Sequence, residues 1–577
     1  MKCARSQQPL AVKLLAFLQI ANLQSILSKN RGERQAMAHN YSKKRELDRL
    51  RFATWDKRPD SDFAKFGLTR DQVKHAQLGL QGWIVMPGDP DYDTDRKLFN
   101  PVFNAFPSMI VYCVVESDVA VALQLGQEGS APFTVRSGGH CTAGFSAGAG
   151  VLIDVSNLNS IAVHPQMPEA TVGCGVTFGK FRAALKPYGL HVPGGECDDV
   201  CIGGYMQGGG YGFTSVTFGM NCDNVNSIRV MLWDGTIVTA SARQNADLWW
   251  AMRGGTGGNF GVLLSVSYKL RPLGDVFGWA VIWPLSTNED MANATYALLL
   301  LQSQFMRTAP SANLNIQVSL CYQPGIQGGL PDSPMYPFLM VRGVWVGNEA
   351  DGMNAIQPLI DAPGATLQWV NETDFDTLND ALLNVPYGMP CFPPGTPMPF
   401  EDKASRIVSR DWTEAEWLSL LQYFVTTPNP YSYFYMEFYG GAINAYPLEG
   451  SAFIHRDAVF NAVLDVFWWD AAGQAPAQDF LEGWINLMEP LYNGHVYQNY
   501  PRLNDPDYAF KYWGDAQEQL WQIKQKYDPN NVFTFAQAVT APAGATAAKA
   551  GESLFKLAVN AISEEIVIDA KVVQRRV

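Results

Sequence analysis

Charge is scarce in this chain, and what there is leans one way. Only 17% of its 577 residues are charged, and 42 basic side chains face 55 acidic ones, a net charge of −13 with histidine neutral. That shortage of positive charge excludes the electrostatic footprint by which proteins hold nucleic acid or an anionic membrane surface. A neutral or weakly charged small molecule is the expected partner. Cysteine is sparse too: nine residues, an odd number, too few for a disulfide scaffold at this length. No segment reaches the roughly 18–20 apolar residues that span a bilayer. The nearest, PLAVKLLAFLQIANLQSIL, is broken by Lys13, Gln19, Asn22 and Gln24 and has no clean cleavage site after it. It reads as an amphipathic helix or an overlong start, with Met37 as an alternative initiator. Cytoplasmic location is the expectation, secretion the alternative. Internal repeats and long low-complexity tracts are missing as well.

What is present suits a large globular chain. Hydrophobic residues make up 47% and aromatics 12%, enough to bury two or three cores. Residues 1–69 are a polar arm. MIVYCVV (109–115) reads as a buried strand. SDVAVALQLGQEG reads as a helix capped by Ser117, and APFTVRSGGH as a strand running into a glycine turn. SIRVMLWDGTIVTAS predicts a hairpin turning at Asp234-Gly235. Beyond Leu270 the composition shifts toward Trp, Tyr, Phe and Pro, and the last residues, 541–577, are an Ala-rich then charged tail.

Two glycine-rich stretches carry chemistry. One is VRSGGHCTAGFS (135–146). The other is GGECDDVCIGGYMQGGGYGF (194–213), followed by GGTGGNFG (254–261). Glycine admits positive φ and close approach of a ligand, and successive N–H groups can cradle a pyrophosphate. Neither stretch has the Gly-Lys-Ser/Thr of a phosphate-binding P-loop or a clean G-x-G-x-x-G after a first strand. A dinucleotide site and plain tight turns both remain open on glycine alone. Cys197 and Cys201 allow a disulfide or, with His191, part of a zinc site. Zinc is disfavoured because no second ligand pair follows at convincing spacing.

The stretch YSYFYMEFYGG (431–441) alternates. As a strand it places Tyr431, Tyr433, Tyr435, Glu437 and Tyr439 on one face and Phe434, Met436 and Phe438 on the other. The first face has aromatic bodies, polar tips and one carboxylate. It can stack on a sugar ring or polyphenol and bond its hydroxyls, or meet another domain. Lys403, Arg406 and the Trp468-Trp469 pair have no readable role beyond structure.

The order and spacing of GDPDYDTDRKLFNPVF, VRSGGH, LIDVSNLNSI, GGGYGF, Asp223-Asn224-Val225, LWWAMRGGTGGNFGV and NYP…YDPNNVF resemble the berberine-bridge-enzyme-like FAD-linked oxidases of the vanillyl-alcohol-oxidase superfamily. The resemblance runs from about residue 80 to 540. It implies an α+β fold: a two-part PCMH-type FAD-binding domain (70–272 and 492–540) around an inserted substrate domain (273–491), built on a large antiparallel sheet backed by helices. It implies FAD attached twice, through His140 and Cys197, although Asp198-Asp199 and Cys201 replace the family's usual Pro-Thr and Gly. It further puts the cofactor against Arg136, Ser137, Gly138, Gly139, Cys141, Val200, Gly203, Gly204, Gly209, Gly210, Asp223, Asn224, Gly261, Val262 and Asn531. Val200 falls at the family's oxygen gate, which implies an oxidase releasing hydrogen peroxide. Tyr500 matches the catalytic base of an x-N-Y motif, needing a nearby cation or hydrogen bonds to favour its tyrosinate. Glu437 is a second acid–base candidate, and Tyr433, Tyr435 and Tyr497 are substrate contacts. No metal is implied. The expected activity is oxidation of a carbohydrate or secondary-metabolite alcohol. Oxidative ring closure or desaturation, and a flavin-loaded binding protein with little turnover, are the alternatives.

Overall fold

The structure is a computed structural model describing residues 44, 46–306, 312–324, 334–384 and 397–542. The amphipathic N-terminal stretch, Met37 and nearly all of the 541–577 tail lie outside the described residues. Two compact units divide at Gln81/Gly82. The described part of the first is helical. Its helix Arg70–Gly79 starts in a capping box, where Thr69 Oγ1 accepts from Gln72 N and Gln72 Oε1 from Thr69 N.

The second unit is mixed α+β. Strands β1 (Trp83–Val85), β2 (Met109–Tyr112), β3 (Thr134–Arg136) and β4 (Val151–Asp154) form a sheet of order β1-β2-β4-β3, with β4 parallel to both its neighbours. The crossover from β2 to β3 is the helix Glu116–Glu128. The cap expected from Ser117 is supplied instead by Asp118. Its Oδ2 accepts from Gly82 N at 3.0 Å and Val114 N at 2.9 Å; the helix begins at Glu116, two residues earlier than a Ser117 cap would set it, and Ser117 lies inside it. The carboxylate serves N–H groups that precede the helix, including that of the N-cap residue Val115 at 3.4 Å.

Next come β5 (Ile161–His164), β6 (Glu169–Gly173), β7 (Leu190–His191), β8 (Val225–Met231), β9 (Ile237–Ser241), β10 (Val262–Lys269) and β11 (Arg271–Pro272). Five of these make a sheet of order β5-β6-β10-β8-β9, while β7 pairs with β11. The β8–β9 hairpin turns at Asp234-Gly235, with Gly235 at φ 82°.

The remaining strands are β12 (Val276–Pro284), β13 (Leu314–Pro324), β14 (Met335–Trp345), β15 (Thr366–Thr373), β16 (Phe400–Val408), β17 (Tyr433–Phe438) and β18 (Phe460–Trp468). They form one antiparallel sheet of order β15-β12-β14-β13-β17-β18-β16. One face packs on helices that include Asn288–Leu301, Glu414–Phe424 and Ala471–Met488, in a core holding Trp279, Val318, Phe434, Met436 and Trp484. The strand period of two then turns every second residue the other way. Across that second face the register sets Arg342 beside Gln317, Gln317 beside Glu437, and Glu437 beside Asn461. A polar row thus crosses four strands of the sheet.

Candidate active site

A cavity of about 590 Å³ opens onto this polar face, within the size range of ligand pockets. Its other wall comes from the loop after β3, the turn before helix Ile202–Gln207, the Thr256–Gly258 turn and the segment Phe533–Phe535. Thr142 Oγ1 donates to Pro501 O at 2.8 Å, tying the His140 loop to the segment that carries Tyr500, and Asn100 Nδ2 donates to Glu401 O of β16 at 2.8 Å.

The lining fits a dinucleotide. Ser137, Gly138, Gly139, Gly203, Gly261 and Val262 all border the cavity. A side chain at Gly204, another lining residue, would meet nothing within 4 Å, whereas one at Gly203 would strike Cys174 O and Ser137 Oγ. Thr134 Oγ1, Gln207 Oε1, Tyr211 Oη and His140 Nε2 are buried without a hydrogen-bond partner, and all four residues line the cavity. Buried polar atoms are rarely left so; a polar cofactor filling the space would meet them.

His140 stacks on Phe99 with ring centroids 4.7 Å apart, and its Nδ1 lies 3.1 Å from Gly138 O. Its Nε2 is 3.3 Å from Asp199 Oδ2, within ion-pair range but without hydrogen-bond alignment. Cys197 borders the same cavity and is exposed to it as a free thiol. Burial of its other sides, with Glu196 and Asp199 adding repulsion, pushes the thiol up to about 11. Arg182 holds this turn, bonding Asp198, Asp376 Oδ1 at 3.0 Å and Gly195 O at 2.8 Å. Val200 and Cys141 also line the cavity.

Cys201 is likewise a free thiol, so no disulfide joins it to Cys197. It is buried beneath the His140 loop. Its Sγ donates to Gly175 O at 3.4 Å, and a side chain on Gly138 would come within 3.1 Å of it. His191 is buried and committed to Thr214 Oγ1 at 2.8 Å. The three residues weighed for zinc therefore have other partners or surroundings.

On the sheet side, Tyr500 donates to Glu437 Oε1 at 2.6 Å, and Asn461 Nδ2 donates to Oε2 at 3.0 Å. Burial, only partly offset by those bonds, raises the Glu437 carboxyl to about 8. Burial also pushes the Tyr500 phenol well above 10.0, with Glu437 and neighbouring tyrosines adding to the rise. The cation sought near Tyr500 is Lys403, whose Nζ lies 5.1 Å from the ring centre. Its charge is taken by Glu401 at 2.9 Å and Asp465 at 3.1 Å, so it does not produce a tyrosinate. Tyr433 and Tyr435 stack at 5.2 Å and line the cavity with Glu437. Tyr431 and Tyr439 fall outside β17: the first packs on Trp469 and the second on Tyr211. Tyr497 Oη accepts from Gly210 N at 2.8 Å and Asn499 Nδ2 at 3.0 Å.

Six expected cofactor contacts do not border the cavity. Arg136 is spent on Asp154 at 2.6 Å, and Asp223 on Arg456 at 2.6 Å. Asn224 bonds Phe218 O and Met220 O. Asn531 sits at φ 50° in the turn closed by Asp528. Gly209 and Gly210 take positive φ where a side chain would strike Phe453, Tyr205 and Asn221. With Gly208, which faces Asn499, they admit protein rather than cofactor. Conversely, sequence reasoning passed over Arg342, Gln317, Glu196 and Lys403, all of which line the cavity.

Known proteins share the FAD binding domain and the fold. The FAD binding domain family matches residues 107–241, and the berberine and berberine-like family matches residues 496–540. An uncharacterized FAD-linked oxidoreductase of Bacillus subtilis is 28% identical over 80% of this chain and 98% of its own. A carbohydrate oxidase of Microdochium nivale is 26% identical over 79% of this chain and 92% of its own. Among solved structures, xylooligosaccharide oxidase from Myceliophthora thermophila C1, in complex with xylobiose, superposes with a TM-score of 0.69 at 24% identity, covering 81% of this chain and 98% of that one. A chitooligosaccharide oxidase gives 0.70 at 20% identity, covering 82% of this chain and all of its own. With a PCMH-type FAD-binding domain, a berberine-like C-terminal segment and this fold, the chain belongs to the berberine-bridge-enzyme-like FAD-linked oxidoreductases.

Proposed function

We propose that this FAD-linked oxidoreductase oxidises an alcohol group of a carbohydrate or secondary metabolite, passes the electrons to dioxygen and releases hydrogen peroxide. The observation that carries the reading is the 2.6 Å hydrogen bond from Tyr500 to Glu437 inside the cavity. Bound FAD supplies the two-electron acceptor for the carbon-bound hydrogen. The protein's share is the hydroxyl proton. With its own pKa driven up, Tyr500 is a poor source of free tyrosinate. It works as a relay: its Oη takes the substrate proton while its own proton passes to Glu437 Oε1. A carboxylate titrating near 8 suits that task at mildly alkaline pH.

The same reading has FAD held by two covalent bonds, through His140 and Cys197. Support comes from their shared cavity, the His140 Nε2 that makes no hydrogen bond and the exposed Cys197 thiol. The stacked Tyr433 and Tyr435 and the polar row suit a flat, hydroxyl-bearing substrate. Val200 beside the cavity supports oxygen as acceptor. Peroxide release over a panel of mono- and oligosaccharides and phenolic alcohols tests the proposal. Turnover with at least one alcohol is expected, and silence across the panel would oppose it.

A further inference from the structure

Tyr500 also lines a second cavity, of about 140 Å³, walled by Arg406, Arg502, Lys511, Ser405, Asn504 and Asp505 among others. Its three cations are not equivalent. Lys511 Nζ pairs with Asp505 at 2.7 Å. Arg502 is shared between Asp402 at 3.0 Å and Glu482 at 2.7 Å. Arg406 has no carboxylate within ion-pair distance among the described residues, although it is only 6% exposed. Its one hydrogen bond there runs from Nη1 to Ser405 O at 2.8 Å, and its Nε has none. Its guanidinium also lies 5.0 Å from the centre of the Tyr492 ring.

A guanidinium cannot shed its proton, so Arg406 stays charged although burial opposes that charge; Tyr492 and the more distant carboxylates Asp505 and Glu489 offset the burial only in part, and Arg502 adds repulsion. A buried cation with no direct ion-pair partner is costly, and its usual resolution is a closer counter-charge. The cavity offers further donors. Ser405 Oγ accepts from Tyr497 N at 2.9 Å, leaving its own hydrogen to give, and the Asn504 amide borders the space. Asp505 borders it too and would repel a highly charged ligand.

From this arrangement the structure assigns a site for a small inorganic monoanion, of chloride's size and charge, at Arg406 next to Tyr500. A single charge is the match, because Arg502 and Lys511 already have their carboxylates and only Arg406 lacks one. The proposal does not depend on which substrate the main cavity takes.

The test is thermal unfolding of the flavin-loaded full chain at constant ionic strength, with gluconate exchanged stepwise for chloride, bromide or nitrate. A ligand that binds only the folded state raises the midpoint with concentration. The expected result is a saturable rise for wild type that is lost in Arg406→Gln and weakened in Arg406→Lys. Bromide-soaked crystals of wild type should show an anomalous peak beside Arg406, a readout that stands even if the variants fold poorly. No saturable rise with any of the three anions, an equal rise in Arg406→Gln, or bromide absent from this cavity would overturn the assignment.

Discussion

Tyr500 gives its phenolic hydrogen to Glu437 Oε1, and the other carboxylate oxygen of Glu437 is held by Asn461. The three residues come from a C-terminal loop and from two adjacent strands, β17 and β18. Neither oxygen of Glu437 is left idle, so its direction in the cavity is fixed before substrate arrives. That fixed direction is what a relay through Tyr500 requires.

Removing either end of the relay should therefore cost about the same. Tyr500→Phe and Glu437→Gln are each expected to lower kcat by roughly 10²–10⁴-fold, the usual range for a positioned acid–base group. The double variant should lose little more than either single one, because groups acting as a unit are not additive. Steady-state kinetics of the four proteins check this; full additivity would separate the two residues.

The pH profile should carry the signature of Glu437. Burial raises its pKa to about 8, and the relay needs the ionised form to receive a proton. Below that pH the carboxyl is already protonated and the relay is blocked. Accordingly kcat/KM should rise as pH increases through about 8 and level above it. In Glu437→Gln the residual rate should lose this limb.

Flavin attachment gives a third expectation. His140→Ala and Cys197→Ala should each keep a flavin band on denaturing gels, by virtue of the remaining bond, and the double variant should lose it. Since the Cys197 thiol is pushed up to about 11, the share of flavin bonded to it should grow when loading is carried out at higher pH. Peptide mapping of the His140→Ala protein measures that share.

Packing around the glycine run supplies a fourth. A side chain at Gly208 would fall within 2.0 Å of Asn499 Oδ1, and the Asn499 amide is bonded to Tyr205 O and Tyr497 Oη. Gly208→Ala should thus displace the segment that carries Tyr500, destabilise the protein by about 1–3 kcal/mol and slow turnover. Thermal unfolding and kinetics report the two effects separately.

Local pattern made much of the site legible. The period of two in YSYFYMEFYGG placed Tyr433, Tyr435 and Glu437 on the cavity face and Phe434 and Met436 in the core. The order of the glycine motifs led to the cavity residues His140, Cys197 and Val200. Arg342, Gln317 and Asn461 were not legible, because their alliance with Glu437 is a cross-strand register between segments more than a hundred residues apart in places, and no local spacing records it. Gly209 and Gly210 were misread for a related reason. Glycine reports that something comes close, and only the fold tells whether that is a ligand or, as here, Phe453, Tyr205 and Asn221. Cys201, unexplained in the sequence, is a filler under Gly138.

The central claim is that this cavity oxidises an alcohol and that Tyr500 takes its proton. Anaerobic rapid mixing of the flavin-loaded protein with a panel of sugars and phenolic alcohols, followed by readmission of oxygen, tests it most directly. The account predicts bleaching of the oxidised flavin absorbance by at least one alcohol, one peroxide per flavin on reoxidation, and bleaching slowed at least about a hundredfold in Tyr500→Phe. Flavin that no alcohol bleaches, or that Tyr500→Phe bleaches at the wild-type rate, would contradict it.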